Sequence, residues 1–305
     1  MSFTGIVKNE LSKLEIDKLE ATSELSAILR NNAIITSKEI KITTENSSVA
    51  RHIFNYIKEL YNISPKITVR HGYNYNKNYI YILEITQKIE LIKKDLSLNT
   101  NIPANYIVDD DVLIRTYLRG VFIATGSIND PKKSRYHLEF LVDNLEYAEF
   151  IKEKLNIYYL NSKVIKRETK FMIYIKEAEK IGDFLRMINA IQALLYYEDI
   201  RIYRDHKNMT NRLNNCEQAN VDKIIETASK QVQDIELINS IGGIDLLDDK
   251  TKIAAIYRLK YREASLTELS NIISIETQTP ITKSGLHHRF TKIKELANKI
   301  RNSDM

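Results

Sequence analysis

The sequence of 305 residues contains one cysteine, Cys216, no tryptophan, and little proline or glycine. A single cysteine excludes an intramolecular disulfide and suits a reducing compartment. No apolar run approaches the roughly 20 residues that a membrane-spanning helix needs. The N-terminal residues also become charged too early for a secretory signal. These absences predict a cytoplasmic protein that has no membrane partner.

Metal and cofactor chemistry has little support in the sequence. The six histidines show no metal-ligand spacing, and the eight glycines form no phosphate-binding motif. We therefore predict no cofactor, no metal and no catalytic residue. His137 and Glu139 share one face of a predicted strand, which favours a structural pair. Asp109, Asp110 and Asp111 precede a predicted helix, whose positive N-terminal end favours carboxylates.

Positive charge is concentrated near the C-terminus. The whole chain has a formal net charge of +5 at pH 7. Residues 282–301 alone carry an excess of that size, because six lysines and arginines stand there against Glu295. Such a concentration is typical of a surface that contacts nucleic-acid phosphates. A solvated basic helix without a partner is the alternative.

Residues 1–204 repeat one order of elements twice, with the division near residue 100. Apolar spacing predicts a helix, a strand-like run, a second helix, a hairpin and a third helix in each repeat. In the first repeat these elements cover residues 16–29, 33–43, 47–57, 66–70 with 79–85, and 86–96. In the second they cover residues 110–124, 135–142, 145–155, 163–167 with 170–176, and 181–195. This order predicts an α+β domain with pseudo-twofold symmetry and a saddle of antiparallel strands.

Two short-range signals add detail to the first repeat. Ser47 or Ser48 is predicted to be the N-cap of its second helix, because a serine hydroxyl can accept from a first-turn amide. Gly72 and the neighbouring asparagines are predicted to form the turn of its hairpin.

The segment 205–220 is polar and rich in asparagine, and it is predicted to be a hinge. Its residues Lys207, Asn208, Asn211 and Arg212 are candidates either for DNA contact or for tying two domains together. Asparagine serves both roles, because its side chain can cap loops as well as bind phosphates.

Residues 221–305 are predicted to form a helical DNA-binding domain. An amphipathic helix is expected over residues 219–238, and Gly242 with Gly243 provides a natural helix stop. Three further helices are expected within residues 248–300, a size that suits a compact DNA-binding module.

A helix-turn-helix is predicted at residues 265–299. Ser265 and Glu268 form a capping box that opens a short helix over residues 266–273. A polar connection then reaches Pro280, after which a basic second helix begins. In such a motif the second helix offers its N-terminal side chains to base edges and its basic flanks to phosphates. A three-helix module that contacts protein is the alternative for the whole segment.

The candidate contacts to double-stranded DNA are the polar and basic residues at the start of this second helix. They are Thr282, Lys283, Ser284, His287, His288, Arg289 and Lys292. Thr282 or Ser284 is alternatively only the N-cap of the helix.

Four stretches of the chain carry a family resemblance. They are LRGVFIATGSINDP at 118–131, YHLE at 136–139, NMTNRLNNCEQAN at 208–220 and KSGLHHR at 283–289. On these stretches the chain resembles the WhiA family of Gram-positive sporulation and cell-division regulators over nearly its full length. The resemblance implies an N-terminal LAGLIDADG homing-endonuclease-like fold and a C-terminal helix-turn-helix that binds promoter DNA.

The sequence departs from the family pattern at three positions. Lys207 stands where arginine is usual, Thr125 where glycine is usual, and His287 where asparagine is usual. Because His287 falls in the predicted recognition helix, an operator sequence cannot be carried over from relatives.

Nuclease activity is not expected. Endonucleases of this fold place one acidic residue at the base of each LAGLIDADG helix, and the paired carboxylates bind the divalent metal. Laying the motif on the two repeats puts Asn32 and Thr125 at these positions. Neither side chain supplies the anionic charge that the metal needs, so we predict that the protein is not an enzyme.

The function predicted from the sequence is a sequence-specific DNA-binding regulator of transcription associated with the nucleoid. Roles in cell division, chromosome segregation or sporulation are implied by the resemblance. The alternatives are a nucleoid protein that binds DNA without sequence preference and, less well supported, a metal-dependent endonuclease. The N-terminal saddle is expected to bind either DNA or a protein partner.

Overall fold

A computed structural model describes residues 2–71, 79–133 and 135–303. Contacts within the chain divide it into two compact units, residues 1–204 and 205–305. Among the described residues, no helix combines the length and the apolar character that a bilayer crossing requires.

In its described residues, the first half of the N-terminal unit forms α-helices and one antiparallel sheet. Its elements are α1 (Phe3–Leu11), α2 (Lys18–Asn32), β1 (Ala33–Ile35), β2 (Ile40–Thr44), α3 (Ser47–Tyr61), β3 (Lys66–His71), β4 (Tyr79–Ile85) and α4 (Ile89–Asp95). The strands pair antiparallel in the order β1-β2-β4-β3. The predicted turn at Gly72 lies outside the described residues.

The second half repeats this arrangement. Its elements are α5 (Asp111–Thr125), β5 (Gly126–Ile128), β6 (Leu138–Val142), α6 (Leu145–Ile157), β7 (Lys163–Arg167), β8 (Lys170–Ile175) and α7 (Ala178–Met187). The strand order β5-β6-β8-β7 matches that of the first sheet, and every pairing is antiparallel. The predicted pseudo-twofold α+β fold is confirmed.

Helices α2 and α5 pack closely against each other in the middle of this unit. Leu25 of α2 and Val121 of α5 are fully buried in the shared core. A Cβ atom on Gly120 would lie 2.5 Å from the carbonyl oxygen of Glu24 and 2.8 Å from Cβ of Ala27. Glycine is therefore required at this crossing, because any side chain would push the two helices apart.

Several local predictions need correction. The N-cap of α3 is Asn46 rather than Ser47 or Ser48, because the Asn46 Oδ1 atom accepts from the amides of Ser48 and Val49 at 2.9 and 3.2 Å. The helix predicted over residues 181–195 is two helices, because Asn189 adopts a left-handed conformation with φ of 64° between them. Helix α1 and strand β5 were not predicted.

The predicted hinge over residues 205–220 is not a separate linker. A single helix, α8 (Ile191–Ile241), passes through it. No glycine or proline interrupts this helix, and residues 205–227 are all exposed, so the asparagines remain hydrated without breaking it.

In the described part of the C-terminal unit, the end of α8 is followed by the α-helices α9 (Asp249–Lys260), α10 (Leu266–Glu276) and α11 (Lys283–Ser303). Helix α8 stops before Gly243, whose φ of 82° favours glycine. All four helices contribute buried side chains to one core, in which Ile238, Ala255, Ile273 and Phe290 lie together.

Candidate nucleic-acid interface

The capping box that was predicted at the start of α10 is present. The Ser265 hydroxyl oxygen accepts from the amide of Glu268 at 3.2 Å, and Glu268 Oε2 accepts from the amide of Ser265 at 2.8 Å. The hydrogen bond from the Ser265 amide is the main cause that lowers the pKa of the Glu268 carboxyl below its ordinary value. Leu269 and Ile273 of the same helix are buried in the core. The cap and the core together fix where α10 begins and how it is rotated.

The connection between α10 and α11 is held by side-chain bonds to the backbone. Helix α10 extends to Glu276, beyond the predicted end at residue 273. The Ser274 hydroxyl oxygen accepts from the amide of Ile281 at 2.9 Å. The Thr282 hydroxyl oxygen accepts from the amide of Gly285 at 3.1 Å, so Thr282 caps α11. Thr282 therefore acts as the N-cap of α11, which is one of the two roles predicted for it.

Helix α11 buries its apolar side chains in the core and exposes polar and basic side chains on the opposite side. Leu286, Phe290 and Ile293 pack into the core. The candidate residues on the exposed side of the first two turns are Lys283, Ser284, His287 and His288. The structure gives their side chains no hydrogen bond or ion pair with another described residue. These four side chains are therefore accessible to a ligand.

Arg289 and Lys292 lie on the side of α11 that faces α9. Arg289 Nη1 donates to the carbonyl oxygen of Lys250 at 3.0 Å. Lys292 Nζ lies 3.3 Å from Asp248 Oδ2. The pKa of Asp248 is lowered, chiefly by the hydrogen bond from the Thr251 backbone and also by Lys292. Both cations are thus engaged within the unit, in contrast to Lys283.

Sequence reasoning missed Arg258, which is 1 % exposed at the centre of the C-terminal unit. Its Nε donates to Gln231 of α8 at 3.0 Å, and Nη1 donates to the carbonyl oxygen of Ala264 at 2.6 Å. Its guanidinium also lies 5.4 Å from the Phe290 ring centroid. Arg258 therefore connects α8 and α9 to the residue before the α10 cap and to α11. No local pattern signals a buried arginine, because its partners come from other elements.

The hinge candidates lie on the exposed part of α8. Lys207, Asn208, Asn211 and Arg212 follow i, i+1, i+4, i+5 spacing, so they share one face of the helix. All four are exposed.

The positions of the two LAGLIDADG acids hold neutral, hydrogen-bonded side chains. Asn32 Nδ2 donates to the carbonyl oxygen of Ala124 at 3.3 Å. The Thr125 hydroxyl donates to the carbonyl oxygen of Val121 at 3.3 Å. Within the described ranges, no three histidine, cysteine, aspartate or glutamate side chains form a group suited to a metal ion.

The other acidic candidates have structural roles. Asp110 caps α5 by accepting from the amide of Leu113 at 2.8 Å. His137 Nε2 lies 3.1 Å from Glu139 Oε2, which also lies 3.7 Å from Arg167. The predicted structural pair is therefore formed, with Glu139 on β6 and His137 just before it.

Family comparisons cover most of the chain. Three family models match: the WhiA N-terminal LAGLIDADG-like domain at residues 18–99, the WhiA LAGLIDADG-like domain at 114–207, and the WhiA C-terminal HTH domain at 210–297. Among curated relatives, the probable cell division protein WhiA of Staphylococcus aureus is 42% identical over 313 residues, covering 100% of this chain and 99% of the relative.

A solved structure supports the same fold. The crystal structure of full-length DUF199/WhiA from Thermotoga maritima matches with a TM-score of 0.60 and 23% identity, covering 98% of this chain and 99% of that one. At this level of identity the likeness concerns the fold alone. The predicted fold class, a LAGLIDADG-like domain followed by a helix-turn-helix, is confirmed.

Proposed function

Because the chain belongs to the WhiA family, we propose that it is a sequence-specific DNA-binding protein that regulates transcription. The name of its Staphylococcus aureus relative, a probable cell division protein, supports a role in cell division. Chromosome segregation and sporulation are further processes that such a regulator would serve. Its place of action is the nucleoid within the cytoplasm.

The observation that carries this proposal is the accessible N-terminal end of α11. Lys283, Ser284, His287 and His288 have exposed side chains that no other described residue engages. A recognition helix in the major groove presents this part to base edges. Serine and histidine side chains can each donate or accept a hydrogen bond, and lysine donates to guanine or phosphate oxygens.

In this proposal, basic side chains of the C-terminal unit also contact DNA phosphates and so position the protein on the duplex. Lys283 has no carboxylate partner among the described residues, so its full charge is available to a phosphate. Lys292 pairs with Asp248, and Arg289 donates to the carbonyl oxygen of Lys250. To contact a phosphate, each side chain must weaken or give up that interaction. We therefore propose that Lys283 contributes more to the electrostatic attraction of DNA phosphates than Lys292 or Arg289 does.

We further propose that the protein does not cleave DNA. Asn32 and Thr125 are neutral, and each donates a hydrogen bond to a helix carbonyl oxygen. Neither replaces the carboxylate that hydrolysis through divalent metal requires.

A competition titration tests the proposed function. The full-length protein is titrated with promoter fragments from its own genome and with shuffled fragments of the same composition, at several salt concentrations and with magnesium present. We expect selective binding to a subset of promoters and intact DNA. Equal affinity for promoter and shuffled fragments would instead identify a nucleoid protein without sequence preference. Nicked or cut DNA would contradict the absence of cleavage.

A further inference from the structure

A cavity of about 810 Å³ lies in the N-terminal unit, apart from the helix-turn-helix. Gly5 and Lys8 of α1, Ser47 of α3, Asn32 of α2 and Ala124 of α5 all line it. Small-molecule sites in proteins typically have volumes of ~300–1,000 Å³. The cavity is therefore large enough for a ligand of nucleotide size.

Lys8 supplies an isolated cation to this cavity. Its side chain is half-buried, and its Nζ atom lies 5.8 Å from the centroid of the buried Phe122 ring. No carboxylate of the described residues lies within ion-pair distance of it. Burial lowers the pKa of Lys8 to about 8, because the surroundings provide no charge to compensate for lost hydration. An anionic ligand in the cavity would provide that charge.

Two helix N-termini reinforce the positive potential at the cavity. Its lining includes the first turn of α1, which Ser2 caps by accepting from the amide of Gly5 at 3.2 Å. It also includes Asn46 and Ser47 at the start of α3. The caps already accept from the amides of Gly5, Ser48 and Val49, so the helix dipole is what favours a nearby anion here. The single acidic residue among the lining residues is Glu45.

Neutral polar side chains complete the wall. Thr43 and Thr44 lie at the end of β2, and Asn46 lies at the start of α3, with Glu45 between Thr44 and Asn46. Asn32 uses its amide group to donate to Ala124, so its carbonyl oxygen is available as an acceptor. Such groups suit the hydroxyl and amino groups of a sugar or a base, whereas Lys8 and the helix ends suit a phosphate.

We propose that this cavity binds a small phosphate-bearing molecule of nucleotide size, with Lys8 as the counter-cation. The site lies at the position where the LAGLIDADG motif of related nucleases would place an acid, and Asn32 replaces that acid here. A neutral residue at this point removes the repulsion that a carboxylate would exert on the ligand phosphate. The site is independent of the proposed recognition helix, so the two proposals can fail separately.

Calorimetric titration of the full-length protein tests the site. The probes are inorganic phosphate, adenosine monophosphate, adenosine as the phosphate-free control, and a DNA duplex. We expect saturable binding of the monophosphate and at least tenfold weaker binding of adenosine. Lys8→Met, which keeps the aliphatic stem over Phe122, is expected to weaken monophosphate binding at least tenfold. The matched Lys13→Met variant, at an exposed position just after α1, is expected to bind normally.

A second variant keeps the test decisive if Lys8→Met does not fold. Ser47→Glu places a carboxylate in the first turn of α3, where acidic residues are compatible with the helix. We expect it to fold and to lose monophosphate binding, whereas Lys18→Glu, at the first position of α2, retains it. The proposal is wrong if neither phosphate nor the monophosphate binds, if Lys8→Met and Ser47→Glu bind as the wild type does, or if only the DNA duplex binds.

Discussion

His52 Nε2 lies 2.6 Å from Glu24 Oε1, and both side chains are buried in the centre of the N-terminal unit. The other carboxylate oxygen of Glu24 accepts from Nε of Arg119. This cluster joins α2, α3 and α5 through buried polar contacts. It holds one buried carboxylate between the side-chain nitrogens of His52 and Arg119.

Removing the Glu24 charge is expected to destabilise the N-terminal unit strongly. Glu24→Gln leaves the buried Arg119 with the more distant carboxylate of Glu20, at 3.9 Å, and breaking a buried pair in this way costs about 3–5 kcal/mol. Denaturant unfolding, followed by a probe in the N-terminal unit, measures the loss. Glu226→Gln is the control, because its partner Lys230 lies on an exposed helix surface at 2.6 Å. A similar effect of both substitutions would contradict the structural role of the buried cluster.

The same cluster predicts how stability changes with pH. Burial by itself would raise the pKa of Glu24, but the hydrogen bond from His52 and the charge of Arg119 outweigh burial and lower it. A lowered pKa stabilises the folded state above the ordinary carboxyl pKa, and this contribution is lost as the pH falls through the folded value. The difference in unfolding free energy between wild type and Glu24→Gln should therefore shrink on acidification. A difference that is constant from neutral to acidic pH would contradict the assignment.

Close packing of α2 against α5 predicts the effect of Gly120→Ala. The Cβ atom of the new alanine would lie 2.5 Å from the carbonyl oxygen of Glu24, which cannot move without displacing α2. Overpacking of this kind costs about 1–3 kcal/mol. Gly285→Ala is the matched control, because its Cβ would meet its nearest atom at 3.4 Å. Thermal unfolding should show a lower Tm for Gly120→Ala and an unchanged or higher Tm for Gly285→Ala.

Elements with strong local signals could be predicted from the sequence. Ser265 and Glu268 define the start of α10 because both partners of the capping box lie within one turn. The stripe of Leu286, Phe290 and Ile293 defines the buried side of α11 by spacing alone. Both features depend on residues that are close together in the sequence, so the sequence pattern alone predicts them.

Features that depend on distant partners could not be predicted. Glu24 and Arg119 are 95 residues apart, and only folding reveals that they form a pair. The same holds for the hydrogen bond from Arg289 of α11 to the carbonyl oxygen of Lys250 in α9. The continuity of α8 was missed for a different reason. Its asparagines favour turns individually, but nothing in the surrounding residues stops the helix.

Lys283 is expected to contribute to the salt dependence of DNA binding. Each phosphate contact adds about 0.9 to the slope of log affinity against log salt concentration. Lys283→Ala should therefore reduce the slope by about that amount. Lys58→Ala, at an exposed position on α3, should leave it unchanged. Fluorescence anisotropy titrations across salt concentrations provide the slopes, and identical slopes for wild type and Lys283→Ala would remove this residue from the interface.

The most direct test of the central claim is the effect of His288→Ala on discrimination between a selected promoter site and its shuffled counterpart. His288 lies on the exposed side of α11, away from the buried stripe, so the substitution leaves the core intact. If α11 reads bases, His288→Ala should weaken binding to the promoter site by about 1–3 kcal/mol. Binding to the shuffled fragment should change little. Unchanged discrimination in both this variant and a His287→Ala variant would contradict sequence recognition by α11.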